Sequence, residues 1–436
     1  MKVYIESLGC AKNMVDSEMV LGLLKKKFEI INDASLADLI IINTCAFIES
    51  AKKESIDTIL GLSDYKKEGA KMVVIGCLAQ RYKNELEKLL PEVDRFISID
   101  EYSNISKIFN DIINSNFKND DKLNPLERVY STPNYMAYVK ISEGCLNRCA
   151  FCAIPLIRGN LKSRTIEDIA EEVKLLVNNG CYEINLISQD TTKYGYDIYK
   201  ELKIVDLLKE LVKIDGDFKI RLLYLYPDIV TDELIEFIKN NKKVMPYFDI
   251  PIQHSEDKIL SYMKRRGNRE YLLNLFDKIR KEIPESIIRT TFIVGFPYEE
   301  DIDIDNLIDF IKKVRFDRLG AFTFSLEEGT KATEYPNIIS EAEKQKRYEK
   351  LMLAQSKIAL ENNQKLLNKV LDDVFVINYD SDSYMYVCRS YAYAPDEIDG
   401  CIYVASKREL QLGERISVKI LDCDEYTLTG EEYVSK

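Results

Sequence analysis

Histidine is nearly absent from this 436-residue chain, which holds one, His254. That scarcity counts against a histidine-rich metal centre, and zinc usually takes four ligands or three cysteines plus a histidine. No apolar run reaches membrane-spanning length, and the longest, Leu39 to Phe47, is broken by Asn43 and Thr44. Residues Met1 to Glu6 contain no long apolar segment of the signal-peptide kind, so a soluble, cytoplasmic protein is expected. Positive charge is also in deficit: 61 Lys and Arg stand against 73 Asp and Glu, a formal net charge of −12. That balance argues against a general nucleic-acid surface and suits a basic partner. There is no internal repeat and no low-complexity tract. With 46% hydrophobic and 31% charged residues, ordinary cores can form and disorder is not expected. The length predicts several domains.

The chain does have ten cysteines. In a cytoplasmic protein they stay reduced and free to bind iron, and a disulfide framework is not expected in so large a chain. Cys145, Cys149 and Cys152 stand at C-x3-C-x2-C spacing within Glu143-Gly144-Cys145-Leu146-Asn147-Arg148-Cys149-Ala150-Phe151-Cys152. One loop can wrap three such thiols around a single cubane cluster, and three thiolates leave one of its irons without a protein ligand. Ferredoxin runs are spaced differently and supply a fourth cysteine. A zinc site and chemically inert cysteines are the alternatives.

Residues 1–115 alternate apolar strands with helices, as in a parallel sheet covered on both faces. Strands are expected at Val3–Ile5, Leu39–Ile42 and Met72–Ile75, and helices at Val15–Phe28, Glu49–Leu60 and Ala79–Leu90. Each strand runs into a cysteine: Cys10, Cys45 and Cys77. Strand carboxyl ends share one edge in open α/β sheets, so the fold itself would gather these thiols. The plainer reading is three buried strand-end cysteines acting as small hydrophobes. Lys12, Asn13, Asp16, Asn43 and Gln80 make the same edge polar. A polar stretch, Asn114 to Asn124, reads as a linker.

A second βα series fills residues 131–368. Strands are expected at Tyr138–Ile141, Glu183–Ser188, Ile220–Leu225, Phe248–Ile250, Ile287–Val294 and Leu319–Phe324, with helices such as Ile166–Asn178, Asp232–Lys239 and Glu270–Lys281 between them. About six βα units indicate a closed or partly closed parallel barrel with its site at the strand carboxyl ends. Cys145, Gln189, Pro227, Gln253, Gly295 and Ser325 fall there. Ser340 and Glu343 form a capping-box pattern at the start of a helix running to about Leu367. Residues 369–436 then change to short strands and turns, including Tyr426–Leu428, as in a small all-β module. From Leu371 onward the chain has 14 acidic and 6 basic side chains, a net of −8.

Two open-iron clusters in neighbouring domains imply more than electron storage. An open iron can chelate the amino and carboxylate groups of S-adenosylmethionine, and one electron can then cleave the sulfonium. At these residues the chain resembles a known family. Cys145, Cys149 and Cys152, with Phe151, resemble the radical S-adenosylmethionine signature. Cys10, Cys45 and Cys77 in a preceding α/β domain, together with a terminal module similar to a TRAM domain, resemble the methylthiotransferases. Four strings resemble the RimO-type subfamily, which modifies a small-subunit ribosomal protein: Ser7-Leu8-Gly9-Cys10-Ala11-Lys12-Asn13 with Val15-Asp16-Ser17-Glu18; Asp249-Ile250-Pro251-Ile252-Gln253-His254; Phe324-Ser325-Leu326-Glu327-Glu328-Gly329-Thr330; and Ala394-Pro395 with Glu397-Ile398-Asp399-Gly400.

The resemblance implies two 4Fe-4S clusters, one on Cys145, Cys149 and Cys152 and an auxiliary one on Cys10, Cys45 and Cys77 carrying an exogenous sulfur. It implies S-adenosylmethionine lying near Gln189, Asp190 and Gly295. One S-adenosylmethionine would methylate the sulfur. A second would yield a 5′-deoxyadenosyl radical that takes hydrogen from the β-carbon of an aspartate in the twelfth small-subunit ribosomal protein. The acidic last module suits such a basic protein. Electron and sulfur donors are implied without being identified, and nucleic acid would be met only through the ribosome. Departures from the family pattern are Ala11 where proline is frequent, Tyr298 where glycine is frequent, an extra Asp396, and Tyr393 at a position that is often acidic. A tRNA adenosine methylthiotransferase is the nearest alternative, and an iron–sulfur electron-transfer scaffold is an alternative of another class. His254 is read as a base, a substrate contact or a structural hydrogen-bonding group. Lys264, Arg265 and Arg266 are read as a solvated helix end or a contact for an acidic group. Glu327 and Glu328 are read as a grip on a basic loop or as turn residues. Cys181, Cys388, Cys401 and Cys423 are read as small hydrophobes.

Overall fold

A continuous apolar strand between two amphipathic helices must be covered on both faces, as Leu39–Thr44 is along its whole length. The computed structural model describes residues 1–113, 115–118, 121–395 and 398–434. It divides into two compact units, residues 1–217 with 325–334, and residues 218–324 with 335–436.

The first unit opens with β1 (Lys2–Ser7), α1 (Ala11–Lys25), β2 (Glu29–Ile30), β3 (Leu39–Thr44), α2 (Glu49–Ser63), β4 (Lys71–Gly76), α3 (Cys77–Leu89), β5 (Arg95–Ile97) and α4 (Ile105–Ile113). The strands form one open sheet in the order β2-β1-β3-β4-β5, parallel throughout. Ile40, Ile42, Met72 and Val74 fill the core on one face, and Leu39, Ile41, Val73 and Ile75 the core on the other. The sequence reading missed β2 and β5, which are too short to show a period. It also began α1 and α3 too late. Ala11 is the first residue of α1, a position where proline is readily accepted, so the departure there leaves the helix start intact.

The expected linker is only partly a linker. Asn114, Asn119 and Asp120 lie outside the described residues, but Phe117 is buried, edge-on to Phe28 at 6.0 Å and beneath Lys27. Phe117 and hydrogen bonds between Asn110 and its backbone help hold the stretch against the sheet domain.

The unit continues with β6 (Met136–Lys140), β7 (Ser142–Glu143), α5 (Ile154–Ile157), β8 (Lys162–Ser163), α6 (Ile166–Asn178), β9 (Glu183–Ile187), α7 (Tyr196–Tyr199) and α8 (Ile204–Leu211). β6 and β9 pair in parallel. The two-residue strands β7 and β8 pair antiparallel, Ser142 with Ser163 and Glu143 with Lys162, and close the base of the loop that carries Cys145, Cys149 and Cys152.

The second unit holds β10 (Lys219–Leu222), α9 (Asp232–Asn240), β11 (Tyr247–Asp249), α10 (Asp257–Tyr262), α11 (Arg269–Glu282), β12 (Ile287–Val294), α12 (Asp301–Val314), β13 (Arg318–Thr323) and α13 (Glu341–Gln364). β11, β12 and β13 form a parallel sheet, continuing the expected βα alternation. Ser340 caps α13 by accepting from the Glu343 backbone N–H. Five further strands, β14 (Val370–Asp380), β15 (Met385–Arg389), β16 (Ile402–Ala405), β17 (Arg415–Cys423) and β18 (Leu428–Glu432), make a closed barrel. Val374, Val376, Cys388, Tyr393, Ile402 and Val418 are among the residues that fill it. The last strand begins where the sequence reading ended it, because the Asp424 side chain accepts from the backbone N–H groups of Tyr426 and Thr427 and holds them in a turn. The extra residue Asp396 and Glu397 of the quoted motif lie outside the described residues.

No described helix is long and apolar enough to cross a membrane.

Candidate functional site

Each of the first three thiols follows a strand end and meets its neighbours at the sheet edge. Cys10 is the N-cap of α1 and Cys77 the first residue of α3, so both lie at helix N-termini. Cys45 follows β3, and its backbone is fixed by Ser55, whose hydroxyl accepts from Cys45 N and donates to Cys45 O. Gly9, at φ +86°, lets the chain pass: a Cβ there would lie 2.8 Å from Cys45 Cβ and 3.1 Å from its sulfur. Burial pushes the Cys45 thiol up to about 12, and nearby Cys77 and Cys10 add to the shift. Burial also raises the Cys77 thiol, against the pull of the Arg158 guanidinium. Cys45 and Cys77 are buried, while Cys10 is exposed.

The second thiol set sits on the loop between β7 and β8. Gly144, at φ +74°, presses against the returning strand, where a Cβ would lie 2.2 Å from Asn160 O. Cys145 N donates to Gly159 O, Cys152 N to Cys149 O, and Asn147 N to the Cys145 sulfur at 3.4 Å. Burial pushes the Cys145 thiol up to about 11, partly offset by that Asn147 N–H. Ala150 O accepts from Ala332 N at 2.8 Å, pinning the middle of the loop.

Both sets fit an iron–sulfur group by the chemistry of their donors, which are three soft thiols each in a glycine-relieved turn. No disulfide joins the ten cysteines. Among the described residues, no three His, Cys, Asp or Glu groups have the geometry of a single-ion site.

The residues expected to lie near S-adenosylmethionine divide between the two units. Asp190 is buried and occupied: it accepts from Asn147 Nδ2 at 2.5 Å, from Thr192 Oγ1 and from Lys193 N. Burial raises its carboxyl, and the Thr192 and Asn147 hydrogen bonds oppose that rise. Asp190 therefore steadies the thiol loop through Asn147, whose side-chain oxygen also accepts from Lys193 Nζ. Gln189 donates to Glu143 at 2.8 Å. In the second unit Gly295, at φ +75°, donates from its N–H to Glu299 at 2.7 Å, and a Cβ there would lie 2.3 Å from Lys344 Cγ. Tyr298, three residues on, also has a positive φ, +70°, and stacks on Tyr262 at 4.1 Å. The turn thus retains the backbone that a glycine would take there.

Other residues singled out in the sequence are tied into the fold. His254 is fully buried, and its Nδ1 accepts from Glu256 N at 3.0 Å, which places the ring proton on Nε2, 3.3 Å from Glu299. Arg265 is buried, donates to Pro251 O and lies over Tyr226 at 4.2 Å, while Arg266 pairs with Asp228. Glu327 is buried in the first unit between Arg81 at 3.0 Å and Lys52 at 3.2 Å. Cys181 and Cys388 are buried, and burial pushes each thiol up to about 12.

The sequence reading did not single out Arg158, Lys140 or Arg81. Arg158 pairs with Asp16, 142 residues away, and such distant pairing leaves no local pattern. A usable signal was present in one place: Lys140 ends an otherwise apolar strand, where a charge needs a partner.

Residues 2–98 match the model of an uncharacterised protein family, UPF0004, residues 139–311 match the radical SAM superfamily, and residues 373–432 match the TRAM domain. The ribosomal protein uS12 methylthiotransferase RimO of Acetivibrio thermocellus is 46% identical, over 99% of this chain and 98% of its own. The protein of the same name from Clostridioides difficile is 45% identical, over 99% and 98%. Among solved structures, the radical S-adenosylmethionine methyltransferase TsrM of Kitasatospora setae, with tryptophan and a SAM analogue bound, aligns with TM-score 0.57 at 12% identity, over 87% of this chain and 79% of that one. The cobalamin-dependent radical enzyme OxsB, with aqua-cobalamin and S-adenosylmethionine bound, aligns with TM-score 0.51 at 13% identity, over 80% and 56%. At these identities the two structures speak for the fold alone.

Proposed function

The chain belongs to the RimO family of ribosomal protein uS12 methylthiotransferases, and from that premise we propose that it attaches a methylthio group to the β-carbon of an aspartate in uS12. The observation that carries this reading is the pair of three-thiol sets, one at the edge of the parallel sheet and one on the loop closed by β7 and β8, in a chain with family identity over its full length. Cys145, Cys149 and Cys152 would hold the cluster that works with S-adenosylmethionine, and Cys10, Cys45 and Cys77 a second, auxiliary cluster. When bound, these groups and S-adenosylmethionine supply the one-electron cleavage, the hydrogen abstraction, the sulfur and the methyl group.

The chain's own residues supply position. Asp190, through Asn147, fixes the turn between Cys145 and Cys149. Gln189 and Glu143 brace the strand end beside it. Glu299 holds the Gly295 turn, which would receive part of the cofactor. The burial of Cys45, Cys77 and Cys145 keeps water from half of the six thiols. The acidic barrel would take the Lys- and Arg-rich substrate, in the cytoplasm where ribosomes are made. The electron and sulfur donors would be separate proteins or small thiols.

Mass spectrometry of ribosomal proteins and tRNA, from cells with and without the gene, tests the reading. A mass increase of one methylthio group in place of hydrogen, on a uS12 aspartate and dependent on the gene, is expected. The same mark found only on a tRNA adenosine overturns the substrate, and no gene-dependent mark on either overturns the activity.

A narrower prediction concerns Gly9. Alanine there must hold a positive φ, at about 1–2 kcal/mol, and its Cβ would collide with Cys45. After anaerobic reconstitution the Gly9→Ala protein should carry about half the iron of the parent, because one of two clusters is lost. Iron and sulfide analysis reads the result.

A further inference from the structure

Arg158 belongs to neither thiol set but reaches the surroundings of both. It ends α5, and its side chain is 2% exposed. Nη1 donates to Asp16 Oδ2 at 2.6 Å and to Glu143 Oε2 at 3.1 Å. Nη2 donates to Asn13 Oδ1 and to the Cys77 sulfur at 3.5 Å. Asn13 is fixed in turn by donating to Leu8 O and Thr44 O, both at 3.0 Å, so the group that aims Nη2 is itself anchored. Lys140 pairs with the same two carboxylates, Asp16 and Glu143. Two cations thus face two anions in a pocket that ends on a thiol. On the other side Glu143 accepts from Gln189. Direct contacts therefore run from Cys77 through Arg158 and Glu143 to Gln189.

Stability is a weak explanation for this quartet, because well-packed apolar side chains commonly do as well as buried ion pairs. A buried N–H aimed at a ligating sulfur has a more specific effect. Hydrogen bonds and charge next to the sulfurs of an iron–sulfur cluster set its reduction potential, and residues that orient the ligands set its geometry. Resting on the two-cluster reading above, we propose that Arg158 is a positioning residue that sets the reduction potential of the cluster carried by Cys10, Cys45 and Cys77. The same guanidinium holds Glu143, and through it Gln189, in fixed relation to that cluster. A cation beside the cluster favours the form with one more electron, so Arg158 raises the potential and Asp16 lowers it.

The test uses the full chain with Cys145, Cys149 and Cys152 all changed to alanine, so that any remaining cluster belongs to the strand-end set. In this background the native protein, Arg158→Gln, Arg158→Lys and Asp16→Asn are reconstituted anaerobically. Iron is counted, and the potential is followed by electron paramagnetic resonance. Arg158→Gln should lie below the parent and Asp16→Asn above it. Arg158→Lys should fall between parent and Gln, because lysine keeps the charge without spanning Asp16 and Cys77 together. Opposite shifts mark an electrostatic role, since damage to packing would move both variants the same way. If clusters form and the potentials coincide or move together, the inference fails while the two-cluster reading stands. If the parent background holds no cluster, both fall. If Arg158→Gln alone loses its iron, Lys below and Asn above the parent still support the inference, and any other order overturns it. Loss of iron from all three variants assigns the quartet to folding and overturns it as well.

Discussion

Replacing Cys45 with alanine is expected to leave a protein that still cleaves S-adenosylmethionine but transfers no methylthio group. The two thiol sets are held by different parts of the chain. Cys45 is fixed through its backbone by Ser55, and that exchange survives loss of the thiol. Removing one buried sulfur leaves a small cavity at about 1–2 kcal/mol, within what a domain tolerates. The loop bearing Cys145, Cys149 and Cys152 is closed by β7 and β8 and steadied by Asp190. Cys149→Ala should differ in kind, losing cleavage and transfer together. Assays of 5′-deoxyadenosine and of methylthiolated uS12 on the same reconstituted samples separate the two cases. Equal loss of both activities in Cys45→Ala would contradict a division of labour between the sets.

The second large effect is expected at Glu299. Its side chain is fully buried. One oxygen accepts from Gly295 N at 2.7 Å and from Arg347 Nη1 at 2.9 Å, and the other lies 3.3 Å from His254 Nε2. Arg347 is also bound to Asp301 and Glu343. Glu299→Ala removes the common acceptor and leaves a buried guanidinium and a backbone N–H short of partners. Breaking a buried pair from one side typically costs ~3–5 kcal/mol. Glu299→Gln keeps an acceptor for Gly295 and should cost roughly 1–2 kcal/mol. Urea unfolding followed by a probe in the second unit measures the difference. The KM for S-adenosylmethionine should rise in both variants, more in the alanine, because the Gly295 turn loses its tie. A small, equal effect of the two substitutions would show that the carboxylate does not hold the turn.

Both thiol sets were legible from the chain because cysteine is chemically distinctive and the strands that deliver it are strongly apolar. The same holds for β3, β4 and β12, whose composition admits little else. The helix α1 was read less well. An amphipathic helix with Val15, Met19, Leu23 and Leu24 on one side was expected, but Met19 is only half-buried, while Lys12, Asn13, Asp16, Ser17 and Glu18 are buried. A helix buried on its polar face gives no periodic signal, and that face is where Asp16 meets Arg158 and Glu18 meets Arg128 at 3.3 Å. Pairings of this kind are fixed by tertiary placement, and the partners are more than a hundred positions apart. For His254 the sequence leaves base, substrate contact and structural group open, and the Glu256 backbone N–H that its Nδ1 accepts from is fixed by the turn it sits in.

The short pair β7 and β8 has a consequence for how the molecule comes to exist. It ties together the ends of one loop, so the ends that bracket Cys145, Cys149 and Cys152 are joined by contacts close in sequence. Cys10, Cys45 and Cys77 become neighbours only after β1, β3 and β4 have paired in parallel, which joins segments far apart along the chain. Local contacts form early and distant parallel ones late. In folding order the loop is ready before the strand-end set, which stops being a site when the sheet opens.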